Sequence, residues 1–171
     1  MLEYSFGHEQ EITKQFQKIA YDEHWKYYWG SGQPQVLPYE VSKDSNCISM
    51  VSIGTNGEIL GLLEYWTDDA IRSVSNLCAT NFSKKPSVVF SRDFHKFWTD
   101  AFVIRKLNKI NWYVIAGNPI EKSYNKLVKR YGGRIVGTFE DDVLTYDGQL
   151  LPKKFYELTR ESFEKTVDRH K

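Results

Sequence analysis

The sequence predicts an α+β fold in which a mixed, mostly antiparallel sheet is flanked by helices. Three observations carry this expectation. Two short apolar runs, 48–53 and 59–66, flank Thr55-Asn56-Gly57-Glu58, the signature of a hairpin. A helix-spaced aromatic run over 90–104 leads into a short apolar segment, 112–116, and strand, helix, strand leaves room for a parallel pair. A helix with both start and stop signals over 118–133 then precedes two strand-like runs around Tyr146-Asp147-Gly148.

With 171 residues the chain has the size of a single domain, 1–171; domains of this length bury roughly two-thirds of the surface their unfolded chain exposes. Hydrophobic residues make up 41% of the chain and aromatic residues 15% of it, which fits a well-packed core. The net charge of +1 removes any bulk attraction to nucleic acid or to an acidic membrane, so partners are to be argued from sites. Cys47 and Cys78 lack metal-ligand spacing and make no disulfide framework, so both are expected to be reduced, with no metal bound. Residues 1–6 carry no basic segment followed by an apolar run, and nothing approaches the ~20 apolar residues that span a bilayer. A soluble, cytoplasmic protein is the expectation.

In chain order, 9–28 sets Ile12, Phe16, Ile19, Ala20 and Tyr27 on one helical stripe. The stretch 30–34, with two glycines and a proline, breaks that helix, and a loop of about ten residues runs to near Glu40. Asn56-Gly57 tolerates the positive backbone angles of a type I′ turn. After an acidic turn at Asp68-Asp69, 71–82 supplies the next strand of an antiparallel meander. From Ser87 or Asp93 to Asn108, a helix presents Phe90, Phe94, Phe97, Trp98, Ala101 and Ile104 as one aromatic face. The run 112–116 is apolar throughout, as expected of a strand buried on both faces.

Asn118 can cap the next helix, Pro119 suits its first position, and Glu121 lies where its side chain can reach back to the cap amide. Ile120, Tyr124, Leu127, Val128 and Tyr131 form its apolar stripe, and Gly132-Gly133 ends it. Strands over 134–145 and 153–158 and a short helix over 160–169 complete the chain.

The run Asn118-Pro119, Tyr124, Lys126-Leu127, 132–137, Asp142-Val143, Tyr146-Asp147-Gly148 and 155–160 resembles the C-terminal half of the GNAT acetyltransferase superfamily. The resemblance is strongest over 111–163. It implies a GNAT-like fold with a sheet splayed between its central strands, acetyl-CoA as cofactor, and transfer of its acetyl group to a small-molecule or peptide amine. Carried over to this chain, it implies that Ala79 offers backbone groups to the pantetheine arm. It also places Asn81, Ser83, Lys84, Lys85 and Ser87 at the pyrophosphate, and Asn118 at the start of the helix beside the cofactor. Tyr124 stands near the position of the tyrosine that faces the thiol, one residue closer to the asparagine than is usual in the family.

At the pyrophosphate turn the chain departs from the family pattern, because no glycine lies between Gly61 and Gly117. Lys84 and Lys85 offer point charges in place of amides, and Pro86 removes a donor. The residue-level reading of Tyr124 is packing against Ile120 and Leu127, which stands beside the catalytic one.

Acetyl transfer also needs a base, and Glu64, a carboxylate among Leu62, Leu63, Tyr65 and Trp66, is the candidate; strand alternation offers a solvated face as the other reading. Tyr21, Trp25, Tyr27, Tyr28 and Trp29 form an aromatic cluster suited to an acceptor pocket, to a protein contact or to the core, with Trp25 and Trp29 the candidates for exposed contact. His24 and His95 have no partner at ligand spacing. There is no HxxxH pair, GxSxG elbow or Walker loop, which leaves hydrolase, metalloenzyme and nucleotidase readings without support.

The glycine-poor junction beside an intact C-terminal half is also similar to degenerate GNAT-like proteins of tailed bacteriophages. That similarity implies an alternative, an inactive chain with protein partners that serves as a virion-associated, assembly or host-interaction protein.

Overall fold

The computed structural model describes residues 1–29 and 32–168. Of the expected break over 30–34, Gly30 and Ser31 lie outside the described residues, as does Arg169 at the end of the last helix. The sheet has seven strands: β1 Leu2–Tyr4, β2 Cys47–Ile53, β3 Ile59–Asp68, β4 Ser73–Asn81, β5 Lys109–Ile115, β6 Arg134–Leu144 and β7 Leu150–Thr159, in the order β1-β2-β3-β4-β5-β7-β6. The helices are α1 Glu9–Ile19, α2 Val88–Val103, α3 Glu121–Tyr131 and α4 Arg160–Asp168. Every strand junction is antiparallel except β4 with β5. That parallel junction is registered only at Ser73 opposite Lys109 and Val74 opposite Ile110. Beyond Val74 the two strands part, and the sheet is split from there on.

Both faces of the sheet are covered. Leu62 faces a cluster built by Ile12, Phe16 and Ile19 of α1, while its neighbours Leu63 and Tyr65 face the larger cluster of Phe97, Trp98, Phe102, Trp112, Tyr124, Tyr131, Tyr156 and Phe163. Both faces of β3 are buried, which is why the run is apolar at successive positions. Trp98 binds the larger cluster together with edge-on contacts to Phe102, Tyr131 and Phe163 at 6.3, 5.1 and 5.7 Å.

Gly61 lets α2 approach the sheet. A Cβ there would sit inside van der Waals contact of the Phe90 ring and the Thr80 carbonyl. Gly61→Ala is therefore expected to cost about 1–3 kcal/mol by overpacking, read as a lowered midpoint in thermal or urea unfolding.

Several local expectations are corrected. The first helix ends at Ile19, and a separate 3-10 helix covers Glu23–Tyr28, because the Asp22 carboxylate accepts the His24 amide at 2.9 Å and restarts the chain in a new direction. Tyr27 therefore leaves the α1 stripe, and the irregular stretch extends to Asn46. The Asn56-Gly57 hairpin forms, but Gly57 alone has positive φ, +83°. The Gly57 amide donates to the Gly54 carbonyl and the Gly54 amide to the Glu58 carbonyl, a three-residue loop closed by glycine and not a type I′ turn. The Thr145–Gln149 closure repeats this pattern, with Gly148 at φ +81°. Ile104, expected on the buried face of α2, is 66% exposed because the helix ends at Val103. Trp25 and Trp29, expected as exposed contacts, are buried.

Candidate active site

A cleft of about 430 Å³ occupies the split. Leu77, Cys78, Ala79 and Thr80 of β4 form one wall, and Tyr113, Val114 and Ile115 of β5 the other. Phe16, Tyr27, Tyr28 and Trp29 close it on the α1 side, while Asn118, Ile120 and Tyr124 enter from the α3 side. Because β4 loses its β5 partner after Val74, its backbone groups along this wall have no strand neighbour on that side. They are a ready edge for an extended ligand.

Glu64 enters the cleft from β3. Its register opposite Ser49 and Cys78 sets all three side chains on one row of the sheet. The Tyr39 hydroxyl donates to Glu64 Oε1 at 2.8 Å and the Ser49 hydroxyl at 3.0 Å. Burial raises the carboxyl pKa above its ordinary value, with the two hydroxyls pulling the other way. The same burial, and then the Glu64 charge, push the Cys78 thiol up to about 11, so it stays protonated at neutral pH. Glu64 is held in one orientation with its second oxygen bound by no described residue, the arrangement of a carboxylate able to take a proton.

Tyr124 packs its ring between Trp112 and Tyr156 at 6.0 and 5.8 Å. Its hydroxyl makes no hydrogen bond with a described residue, and the side chain lines the cleft. Burial raises its pKa and keeps it neutral. Packing and cavity lining therefore describe the same side chain.

Asn118 is committed at both ends. Its Oδ1 accepts the Ile120 amide at 3.0 Å, and its Nδ2 donates to the Tyr27 carbonyl at 3.0 Å. The regular helix begins at Glu121, but the bond from Asn118 is the capping bond expected, displaced by a first tight turn. Glu121 does not reach back to the cap; it pairs with Lys154 instead. The Asn118 amide ties α3 to the 3-10 helix, and that helix is fastened on its other side by Lys26 pairing with Asp147 at the β6–β7 tip.

The β4–α2 turn lies apart from the cleft lining. Three of its amides are engaged, Phe82 with the Leu60 carbonyl, Ser83 with Asn81 Oδ1 and Lys85 with Ser83 Oγ, and in the first turn of α2 the Phe90 amide donates to Ser87 Oγ. Lys84 sits 2.6 Å from Asp22 and over the Trp25 ring, and Trp25 Nε1 donates to the Asn81 carbonyl at 2.8 Å. Lys85 is exposed. Ser87 caps α2, whose next amides, those of Val88 and Val89, have no intrahelical acceptor. Phe82 packs edge-on against Phe16 at 5.2 Å and Phe90 belongs to the core under Gly61, so neither fills the split.

No protein-family model matches the sequence, and no curated protein matches it. Solved structures do. Spermidine N-acetyltransferase from Vibrio cholerae in complex with CoA and spermine superposes with a TM-score of 0.72 at 16% identity, covering 96% of this chain and 97% of that one. The spermidine/spermine N-acetyltransferase SpeG from Vibrio cholerae in complex with manganese ions gives 0.70 at 16%, covering 100% and 96%. A putative acetyltransferase gives 0.69 at 15%, covering 98% and 87%. The chain has a GNAT-like fold.

In this GNAT-like chain, the tertiary structure brings together four of the residues singled out from the sequence, Glu64, Ala79, Asn118 and Tyr124, around one cleft. It does not bring Asn81, Ser83, Lys84, Lys85 or Ser87 into that lining. Tyr27, Tyr28 and Trp29 of the aromatic cluster do line it, whereas Trp25 and Tyr21 face elsewhere, Tyr21 against Tyr146 at 5.8 Å. His24 and His95 are outside it; His95 Nε2 lies 2.9 Å from the Tyr131 hydroxyl. Sequence reading missed Tyr39 and Ser49, which hold Glu64, and Cys78 beside it. Ser49 alternates with Ile48 and Met50, a signal for a polar site within an otherwise apolar strand, but Tyr39 lies in an irregular stretch whose path no periodicity foretells.

Proposed function

We propose that this chain is an acetyl-CoA-dependent N-acetyltransferase acting on an amine. The observation that carries the reading is the cleft in the β4–β5 split, which faces a half-buried, hydroxyl-held carboxylate, Glu64, with a neutral phenol, Tyr124. The CoA and spermine bound in the Vibrio structure of the same fold support the cofactor and the amine class. The unpaired edge of β4 at Leu77–Thr80 fits an extended pantetheine arm, and the Val88 and Val89 amides at the start of α2 fit a phosphate. In the turn before them three amides are taken and Pro86 has none to give.

In the proposed reaction the amine nitrogen attacks the thioester carbonyl carbon, and the N–C bond forms as the C–S bond breaks. Glu64 takes the first proton, which turns the ammonium into the attacking amine, and passes it to solvent. The second, shed by the nitrogen as it becomes an amide, restores the Tyr124 phenol after that phenol has protonated the leaving group. Tyr124 donates its hydroxyl proton to the departing thiolate, whose basicity rises in the same buried surroundings that raise the tyrosine.

Thermal unfolding with and without acetyl-CoA tests this. At about 100 times its dissociation constant the cofactor stabilises by about 2.7 kcal/mol. Ser87→Trp, which crowds the α2 N-terminus, is expected to abolish the upward shift. A folded protein that shows no shift would sink the proposal and send the search to macromolecular partners.

A further inference from the structure

The charge content of the cleft bears on the acceptor, and the inference rests on the acetyl-transfer reading above. Glu64 is the one charged side chain in the described lining. The undescribed neighbours of Trp29, Gly30 and Ser31, carry no ionisable side chain. The rest of the lining is uncharged: aromatic at Phe16, Tyr27, Tyr28 and Trp29, with Tyr113 across the split, and neutral amides at Gln33 and Gln35. Phe16 and Trp29 are buried and pack 5.9 Å apart, so that part of the wall is built into the core, while Tyr27 and Tyr28 are half-buried.

A single carboxylate partners a single ammonium. A second or third cation on the same ligand would meet aromatic rings and neutral amides with no counter-charge in the described lining, and a charge drawn from water without one is disfavoured. Aromatic faces soften that cost only in part, whereas an apolar body on the amine gains burial against the same rings. We propose that the acceptor is a monoamine, one ammonium on an aromatic or aliphatic body, and not a polyamine. Glu64 anchors the ammonium that it then deprotonates, and the wall formed by Phe16, Tyr27, Tyr28 and Trp29 selects the body.

The test is isothermal titration of phenethylamine and of spermidine into the full chain saturated with CoA, at equal pH and ionic strength. Phenethylamine is expected to bind at least about tenfold more tightly, one decade in Kd. Glu64→Gln is expected to abolish that binding while CoA affinity is unchanged, which certifies a folded variant. Spermidine binding equally or more tightly overturns the inference, as does a chain that binds CoA and takes up neither amine. A chain that fails to bind CoA overturns the acetyl-transfer reading and this inference with it. The amine comparison is made on the unaltered protein and does not depend on the variant.

Discussion

Glu64→Gln is expected to lower kcat/KM for acetyl transfer by about 10²–10⁴-fold, the usual worth of a positioned general base, with acetyl-CoA affinity retained. The amide keeps the shape of the carboxylate and still accepts from Tyr39 and Ser49, so the cleft is preserved while proton acceptance is lost. Stability should move the other way at neutral pH. Burial raises the Glu64 pKa in the folded state, so its favourable contribution is present below the ordinary carboxylate pKa and is lost as pH rises through the folded value. The variant carries no such penalty. Its midpoint relative to wild type should therefore climb from about pH 4 towards neutrality, measured by thermal unfolding across pH. The acid limb of the wild-type rate profile should rise over the same interval, since only the ionised carboxylate accepts a proton. A variant of unchanged activity would remove Glu64 from the reaction.

Tyr124→Phe is expected to lower kcat by about 10²–10⁴-fold as well, if protonation of the thiolate limits turnover. The ring contacts with Trp112 and Tyr156 survive the change, and the hydroxyl removed has no partner among the described residues, so the melting temperature should hardly move. That separation distinguishes a phenol that donates a proton from one that only packs. A fall in stability with intact turnover would assign Tyr124 to the core. Intact kcat with a raised KM would assign its hydroxyl to binding.

The elements with strong local chemistry were legible in the chain. Gly132 takes the left-handed conformation at φ +69° that ends α3, and Gly57 and Gly148 close the two hairpins, because only glycine enters those backbone regions cheaply. The apolar stripe of α3 and the aromatic face of α2 were equally plain, since helical spacing decides which residues meet the core. Boundaries failed where a side chain redirected the backbone. Asp22 interrupts what reads as one long helix, and Glu121 prefers Lys154 to the capping box.

The cleft was only half legible. Glu64 and Tyr124 are distant in sequence, and each alone admits a bland reading, a solvated strand face or a packed ring. They become a pair because β4 and β5 separate after Val74, and where a parallel pairing between distant strands ends is not written in any local periodicity. Nor could spacing show that Lys84 turns to Asp22 and Trp25, since a surface lysine takes whichever partner the fold presents. What the chain determined by itself was the identity and order of its elements, because periodicity, caps and turn glycines act over a few residues. What the tertiary structure decided was which side chains share the split and which amides remain free, because those depend on contacts between residues far apart in the chain.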